Sequence, residues 1–183
     1  SDTNNSGNGV DVATLNTLDD YTTGAVDAQT ISAFSGSLAN LLTAYGSNGI
    51  TGLGNETASV TDTSTLAASD LNSLDSKTSG VVTTSTSLAT LTGTVSALNT
   101  AYGSAGLSIQ GDEAVTITDT TVNAKDLNDL NNYTSGVINA DTLTTVTGTL
   151  VDVNTAFAAD AASPATISGL GDQTIELTDT TVL

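Results

Sequence analysis

The segment Leu-Asn-Thr-Leu-Asp at residues 15–19 returns as Leu-Asn-Ser-Leu-Asp at residues 71–75 and as Leu-Asn-Asp-Leu-Asn at residues 127–131. The two steps between these segments are equal, and Gly24, Gly80 and Gly136 keep the same step. A fixed period of this kind is typical of repeat proteins, in which each unit buries apolar surface against its neighbours. We therefore predict a repeat array rather than a domain built around a single pocket.

The charge of the chain is strongly one-sided. Its 183 residues include 20 Asp and Glu but only two cationic side chains, Lys77 and Lys125, which gives a formal net charge of −18. Nucleic acids and anionic lipids bind proteins through Lys and Arg that neutralise phosphate. The composition therefore argues against nucleic-acid binding and favours a soluble chain that attracts divalent counter-ions.

Several reactive residue types are absent from the sequence. It has no Cys, His, Met or Trp, so disulfides and thiolate or imidazole metal sites are excluded. The lack of Met predicts a processed mature protein or a piece of a longer one. We find no signal peptide and no apolar run near the roughly 20 residues of a membrane helix. The acidic composition, rich in Thr, Ser, Asn and Gly, indicates a secreted bacterial protein, so we expect an extracellular location.

Each repeat is predicted to begin with a short amphipathic helix. Asn123 precedes the helical pattern of the third repeat and Asp11 precedes that of the first, and both residue types cap helix N-termini. The recurring Gly24, Gly80 and Gly136 follow these helices. A glycine after a helix often lets the chain leave through positive φ. We therefore expect positive φ at these three glycines.

The second half of each repeat is predicted to contain a strand, a second helix and a further strand. Ser37, Thr94 and Thr149 each follow a glycine, where the N-cap of the second helix belongs. The last strand is clearest at residues 114–122, where apolar residues alternate with Thr. Such alternation indicates a half-buried strand. The counterparts of this strand are residues 58–65 and 174–182.

These elements predict an α/β fold made of tandem ~56-residue strand–helix repeats, solenoid-like in its packing. The strand–turn–helix element recurs about every 26–31 residues, close to the coil length of α/β solenoids. Parallel strands joined by helical crossovers would follow. The alternative is three small α+β domains in a row. The predicted repeats are residues 1–66, 67–122 and 123–183.

Acidic side chains recur at fixed places in the repeats and are candidate calcium ligands, because calcium accepts carboxylate and carbonyl oxygens in flexible loops. The other interpretation is that Thr-Asp-Thr closes a turn and that Gly-Asp-Glu punctuates a loop. The sequence has no EF-hand loop, so we predict no required cofactor and keep calcium as the one candidate. The candidate ligands are Asp62, Asp112, Glu113, Asp119, Asp172 and Asp179.

Catalysis and ice binding are weaker alternatives. No nucleophile–base pair is visible, and the carboxylates are spread over the repeats instead of being gathered in one cleft. We therefore do not expect an enzyme. Thr-x-Thr pairs could match an ice lattice, but Thr suits any half-exposed strand. The sequence does not specify a glycan or receptor as partner.

The repeat unit carries a resemblance to known proteins. It reads Gly-Leu-Gly-Asn-Glu-x-x-x-Val-Thr-Asp-Thr at residues 52–63, Leu-Asn-x-Leu-Asp-x-x-Thr-Ser-Gly-Val-Val at 71–82 and Leu-Thr-Gly-Thr at 91–94. This pattern resembles repeats of large acidic, secreted cell-surface and adhesin-like proteins of marine cyanobacteria and other Gram-negative bacteria, often described with RTX-type calcium-binding regions. The resemblance covers essentially the whole chain and implies a surface layer, an adhesin or an extracellular fibre. The chain lacks the RTX nonapeptide.

The two ends of the sequence are complementary in their predicted elements. The chain finishes with a strand that no helix follows, and it opens with a helix whose preceding strand is missing. An uncapped strand edge is a template for another chain. We therefore expect head-to-tail self-association into a filament or surface layer. The alternative is a segment of a giant, calcium-stiffened adhesin. The expected assembly interface comprises Leu15, Leu18, Ile175, Leu177, Val182 and Leu183.

Overall fold

The computed structural model describes residues 9–179, and strands alternate with helices along this part of the chain. The strands pair in parallel and the order of elements recurs, so the predicted α/β class and its repeated units are confirmed. None of the helices between residues 9 and 179 is long and apolar enough to cross a membrane.

The strands are short, with two to four residues each. They are β1 (Val10–Asp11), β2 (Val26–Asp27), β3 (Ala33–Gly36), β4 (Ile50–Thr51), β5 (Thr57–Val60), β6 (Thr65–Ala67), β7 (Val82–Thr83), β8 (Thr90–Gly93), β9 (Leu107–Ser108), β10 (Ala114–Ile117), β11 (Thr121–Asn123), β12 (Ile138–Asn139), β13 (Thr145–Gly148), β14 (Ile167–Ser168) and β15 (Thr174–Leu177).

The helices have eight to eleven residues each. They are α1 (Val12–Tyr21), α2 (Leu38–Gly46), α3 (Ala68–Asp75), α4 (Val95–Gly103), α5 (Ala124–Tyr133) and α6 (Leu150–Asp160).

The predicted N-caps are confirmed, because each side chain accepts a hydrogen bond from the first turn of its helix. Asp11 accepts from the Ala13 N–H at the start of α1, and Asn123 accepts from the Lys125 N–H at the start of α5. Such bonds satisfy N–H groups that have no partner within the helix. The remaining caps are Ser37, Thr94 and Thr149.

Each strand pairs with a strand one coil further along the chain instead of with its sequence neighbour. Val10 lies opposite Phe34, Phe34 opposite Ala58 and Ala58 opposite Val82, so these three steps along the chain are equal. A parallel pair needs a long crossover, which the helices supply in most coils. The prediction of parallel strands with helical crossovers is therefore confirmed.

The described chain packs as two compact units. Unit 1 contains the residues up to Leu88 together with Ser104–Gln110, and unit 2 contains Ala89–Gly103 and the residues from Gly111 onward. These limits differ from the predicted repeat boundaries at residues 66 and 122. The difference arises because strands of consecutive repeats hydrogen-bond to each other within each unit.

Unit 1 contains one complete five-stranded sheet, in the order β1-β3-β5-β7-β9, and a two-stranded sheet, β2-β4. The first three strands of the large sheet come from the first repeat, whereas β7 and β9 come from the second. The core of this unit is mostly aliphatic, and Phe34 is the largest side chain buried in it among the described residues. Leu41, Leu71 and Leu74 are completely buried.

Unit 2 contains the run β14-β12-β10-β8 and the three-stranded sheet β11-β13-β15. Its core is also aliphatic and thin, as the scarcity of aromatic residues predicts. The completely buried side chains include Leu91, Leu98, Leu127, Leu130 and Ile138.

Two details of the sequence prediction are wrong. The strand predicted at residues 114–122 is split into β10 and β11, because the side chain of Asp119 leaves the ladder to accept the Val95 N–H at 2.8 Å. The same split separates β5 from β6. Positive φ is also wrong for Gly24, Gly80 and Gly136, because none of them has it.

Candidate assembly interface

The first repeat is joined to the second by a parallel strand pair in unit 1, here called junction 1. Strand β5 pairs with β7, which places Ala58 opposite Val82 and Ser59 opposite Thr83. The Ala58 N–H donates to the Val81 carbonyl at 3.0 Å. The two strands complete the five-stranded sheet, so junction 1 shows how one repeat receives the next.

The second repeat is joined to the third in the same way within unit 2, here called junction 2. Strand β10 pairs with β12, which places Val115 opposite Ile138 and Thr116 opposite Asn139. The Val115 N–H donates to the Val137 carbonyl at 3.0 Å. Junctions 1 and 2 therefore have the same strand register, and the same backbone hydrogen bond links the two strands in each.

A buried carboxylate precedes the strand at junction 1. Glu56 is fully buried, and its Oε2 accepts from the Tyr45 hydroxyl at 2.9 Å and from the Gly54 N–H at 2.9 Å. A third donor, the Asn55 N–H, lies at 3.2 Å. Burial, and then the bond to Glu56, raises the pKa of the Tyr45 hydroxyl well above its ordinary value. The tyrosine therefore stays protonated and keeps donating.

The next repeat closes over the backbone of this glutamate. The Thr78 hydroxyl donates to the Glu56 carbonyl at 2.6 Å, and the Ser79 N–H donates to the Gly54 carbonyl at 2.9 Å. Gly80 lies directly against the Glu56 carbonyl, and a Cβ at this position would overlap it. The close approach of two backbones therefore explains the glycine, whereas a turn with positive φ does not.

Junction 2 repeats the buried carboxylate. Glu113 is 3 % exposed and accepts from the Tyr102 hydroxyl and from the Gly111 N–H, the latter at 3.1 Å. Burial, followed by the bond to Glu113, raises the pKa of the Tyr102 hydroxyl above its ordinary value. The Tyr102 ring stacks on Tyr133 of the following repeat, with centroids 6.1 Å apart. This pair adds a contact across the junction.

Junction 2 also repeats the backbone closure. The Thr134 hydroxyl and the Ser135 N–H both donate to the Gly111 carbonyl, at 3.1 and 2.7 Å. The Gly136 N–H donates to the Thr134 hydroxyl at 2.9 Å. A Cβ on Gly136 would overlap the Glu113 carbonyl. The recurring Thr-Ser-Gly is thus the element that docks one repeat on the previous one.

The C-terminal side of the third repeat presents the first half of such a junction. Strand β15 is the counterpart of β5 and β10, and it is the last described strand of the sheet β11-β13-β15. Ile175 and Leu177 are 39 % and 52 % exposed, whereas their counterparts in β5 and β10 are at most 2 % exposed. Leu150 is 60 % exposed, against 4 % for both of its counterparts, Leu38 and Val95.

The buried tyrosine–glutamate pair is replaced in the third repeat. Phe157 stands where the other repeats have tyrosine, and Gln173 stands where they have glutamate. The Gln173 Oε1 accepts from the Gly171 N–H at 2.7 Å, and its Nε2 donates to the Leu143 carbonyl at 3.2 Å. The amide therefore keeps the loop bond that glutamate makes elsewhere, without a buried charge.

The N-terminal side of the first repeat presents the second half of a junction. Strand β2 is the counterpart of β7 and β12, and it pairs only with β4 among the described residues. The Gly24 N–H donates to the Thr22 hydroxyl at 3.0 Å, as in the two internal junctions. Apart from that oxygen, 3.5 Å away, a Cβ on Gly24 would meet no atom of residues 9–179 within 4 Å. The docking element is therefore formed, and none of the described residues lies against it as Glu56 lies against Gly80.

The structure divides the predicted interface residues into three groups. Leu18, Ile175 and Leu177 are exposed at the two half-junctions, and the counterparts of Leu18 in the other repeats are completely buried. Leu15 is 6 % exposed and belongs to the core of unit 1. Val182 and Leu183 lie outside the described residues.

Three of the candidate calcium ligands accept hydrogen bonds from helix N-termini. Asp62 accepts from the Leu38 N–H at 2.8 Å, and Asp119 accepts from the Val95 N–H at 2.8 Å. Asp179 makes the same bond to Leu150 at 2.6 Å. The carboxylates thereby satisfy N–H groups that lack partners within their helices.

The other three candidate ligands lie in the loops that precede β10 and β15. Glu113 is engaged by Tyr102, Asp112 is exposed, and Asp172 accepts from the Gln173 amide at 3.0 Å. Between residues 9 and 179, no three acidic side chains come together as a group that could hold a metal ion.

Four residues of the half-junctions are missing from the predicted interface: Thr22, Gly24, Leu150 and Gln173. The alignment of the three repeats could have identified Leu150, because its counterparts begin the same helix in the other repeats. The exceptional exposure of Leu150 depends on which strand covers it, and this is visible only in the packed chain.

Comparison with known protein families, curated proteins and solved structures finds no significant match to this chain.

Proposed function

We propose that this protein is a non-enzymatic, extracellular structural protein that self-assembles head to tail into a filament or a surface layer. Solenoid-like stacking of repeats would then continue from one copy into the next. Heterologous contacts of this kind need not close into a ring, so they can extend without limit. The acidic, cysteine-free composition supports the extracellular location.

The observation that carries the proposal is the complementarity of two incomplete sheets. The sheet β11-β13-β15 repeats the register of β1-β3-β5, and the sheet β2-β4 repeats the register of β7-β9. Together they contain the five strands of the complete sheet in unit 1. A second copy that places its β2 beside β15 would complete the sheet.

Exposed apolar side chains also support a second copy as the binding partner. Leu150, Ile175 and Leu177 are exposed on one side, and Leu18 is exposed on the other. Each belongs to a position that is buried wherever a neighbouring repeat covers it. Burying a large aliphatic side chain stabilises by about 1.5–3 kcal/mol when it starts fully exposed. The free energy gained by burying these four partly exposed side chains would favour the association of two copies over separate chains.

A segment of a giant adhesin is the alternative, because the same junction could join this chain to further repeats of a longer one. In that case the 183-residue chain would lack its natural neighbours but would not necessarily bind itself. Calcium would raise the melting temperature if it stiffened such a segment. Filaments that form equally with calcium and with chelator would favour the structural polymer.

The proposal is tested by size-exclusion chromatography with light scattering over a range of protein concentrations. We expect the wild-type chain to form species that grow with concentration. Deletion of residues 174–183 should leave monomers, because it removes β15. The variant Leu177→Ser tests the same edge without removing a strand, and it should raise the concentration needed for assembly. A wild-type chain that stays monomeric at all concentrations would contradict the proposal.

A further inference from the structure

We infer that β15 of one copy pairs with β2 of the next copy in a single register, Ile175 opposite Val26 and Glu176 opposite Asp27, and that Gly24 is the position that admits this contact. The inference rests on the proposed head-to-tail assembly and specifies its interface. The ligand of this surface is therefore a second copy of the same chain.

The register follows from the two internal junctions. In both of them the second residue of the four-residue strand, β5 or β10, lies opposite the first residue of the two-residue strand, β7 or β12. Ala58, for example, lies opposite Val82. The equivalent residues at the open ends are Ile175 and Val26. Ala58 and Val115 also donate their N–H groups to the carbonyl of the residue before the two-residue strand. We therefore expect the Ile175 N–H to donate to the Ala25 carbonyl of the next copy.

Gly24 supplies independent evidence that a second copy binds at this end of the chain. Gly24 has no positive φ, and no backbone of the described residues 9–179 lies against it, so nothing in this part of the chain requires a glycine. At the matching positions Gly80 and Gly136 a side chain would overlap a glutamate carbonyl of the preceding repeat. The equivalent carbonyl at the open end belongs to Gln173. Gly24 is thus explained if a second copy places Gln173 there.

The hydroxyl and amide donors around Gly24 are arranged for the same contact. Thr22 accepts from the Gly24 N–H, which orients its hydroxyl as in the internal junctions. There the matching hydroxyl donates to a backbone carbonyl of the preceding repeat. The residue after it donates its N–H to a glycine carbonyl. We therefore expect Thr23 to donate to the Gly171 carbonyl of the neighbouring copy.

The first experiment compares Gly24→Ala with Gly46→Ala by sedimentation velocity. A methyl group at either position meets no described residue closer than 3.5 Å, and the third repeat carries Ala158 where the first has Gly46. Both variants should therefore melt at the wild-type temperature. We expect Gly46→Ala to assemble like wild type and Gly24→Ala to remain monomeric at concentrations where wild type is polymeric.

The second experiment fixes the register with disulfides, which is feasible because the chain has no cysteine. Residues directly opposite each other in neighbouring strands lie about 5 Å apart, within the Cα range for a disulfide. The pair Asp27→Cys with Glu176→Cys should give a ladder of cross-linked oligomers on a non-reducing gel. The control pair, Asp27→Cys with Thr174→Cys, is displaced along the strand to about 8 Å and should not.

The outcomes separate this inference from the proposed function. Wild-type monomers would overturn both. Wild-type polymers together with full assembly of Gly24→Ala, or cross-linking by the displaced pair alone, would overturn the register and leave head-to-tail assembly intact. Loss of assembly in Gly24→Ala together with a ladder from the Asp27–Glu176 pair would support the assigned contact.

Discussion

At the scale of single residues, the junctions are governed by the space between two backbones. Gly80 lies against the Glu56 carbonyl and Gly136 lies against the Glu113 carbonyl. Neither glycine is needed for an unusual φ. The cost of a side chain at these positions is therefore the separation of two hydrogen-bonded strands, a tertiary effect.

Gly80→Ala should destabilise the monomer by about 1–3 kcal/mol, the usual cost of forcing a methyl group into a filled space. Urea unfolding followed by circular dichroism gives the free energy of unfolding. Gly24→Ala is the matched control and should leave that free energy within about 0.5 kcal/mol of wild type, because the described part of the chain leaves space for its methyl group. Equal losses in both variants would contradict the packing explanation.

The tyrosine–glutamate pair of junction 2 allows a test against the chain's own third repeat. Tyr102→Phe removes a donor from the buried Glu113 and should cost about 1–3 kcal/mol. Adding Glu113→Gln recreates the Phe157–Gln173 combination and should recover most of the loss. Urea unfolding of the wild type, the two single variants and the double variant measures the coupling. Additive losses would show that the two side chains act separately.

The tyrosines also predict how stability depends on pH. Their pKa values are raised in the folded chain, so folding keeps them neutral. This stabilisation is fully present below the unfolded pKa of about 10, and it is lost as pH rises above that value. Thermal unfolding should therefore show a melting temperature that falls above about pH 10. The fall should be shallower in the double variant Tyr102→Phe/Glu113→Gln.

At the residue scale, some features follow from local sequence patterns and others do not. The N-caps Asp11, Ser37 and Asn123 are predictable because a cap bonds to residues two or three positions away. Gly80 is recognisable as special from its spacing, but its role is not. The carbonyl that excludes a side chain belongs to Glu56, one coil earlier in the chain, so no local pattern identifies it.

At the scale of secondary-structure elements, the assembly proposal depends on the edges of β2 and β15 that no strand between residues 9 and 179 pairs with. Both strands present alternating side chains, and in the assigned register Glu176 faces Asp27 of the next copy. At the internal junctions the corresponding pairs are uncharged, Ser59 with Thr83 and Thr116 with Asn139. The contact between copies therefore contains a like-charge pair that the contacts within the chain avoid.

Glu176→Thr should strengthen assembly, since it removes the like-charge pair and places at this position the residue type that Thr116 supplies in β10. Like charges directly opposite each other cost about 0.2–1 kcal/mol, which corresponds to a critical concentration about 1.4- to 5-fold lower in the variant. Pelleting assays over a concentration series measure this quantity. Asp112→Asn removes the same charge from an exposed loop and is the control. A variant that assembles no better than this control would contradict the register.

Element types are more predictable than their ends. The helices and the parallel strands follow from periodicity and from the repeated sequence. The break between β10 and β11 is absent from the sequence prediction, although the alternation of Val115 and Ile117 stops at Asp119. It is set by Asp119, whose partner Val95 lies one coil earlier in the chain. Likewise Leu15 and Leu18 are equivalent in pattern, and only packing decides that one is buried and the other exposed.

At the scale of the whole molecule, electrostatic repulsion between copies opposes the assembly that the complementary sheets favour. Each copy carries a formal net charge of −18, so copies repel each other at low ionic strength. The Debye length is about 30 Å at 0.01 M salt and about 8 Å at 0.15 M, so added salt screens this repulsion.

The critical concentration should fall several-fold between about 10 and about 150 mM NaCl, because screening is nearly complete at the higher concentration. Glu176→Thr should show a weaker dependence, because part of the repulsion at the contact has been removed. Light scattering at both salt concentrations measures the two chains side by side. A critical concentration that rises with salt would indicate a contact dominated by attraction between opposite charges, contrary to the assigned interface.

The central claim is that one copy completes the open sheet of another, and electron microscopy of the purified 183-residue chain tests it most directly. Negative-stain images would be recorded with calcium and with chelator. We predict long, unbranched filaments of uniform width in both conditions, and their absence in Gly24→Ala. Particles that remain single in both conditions, or that associate only with calcium, would contradict the claim.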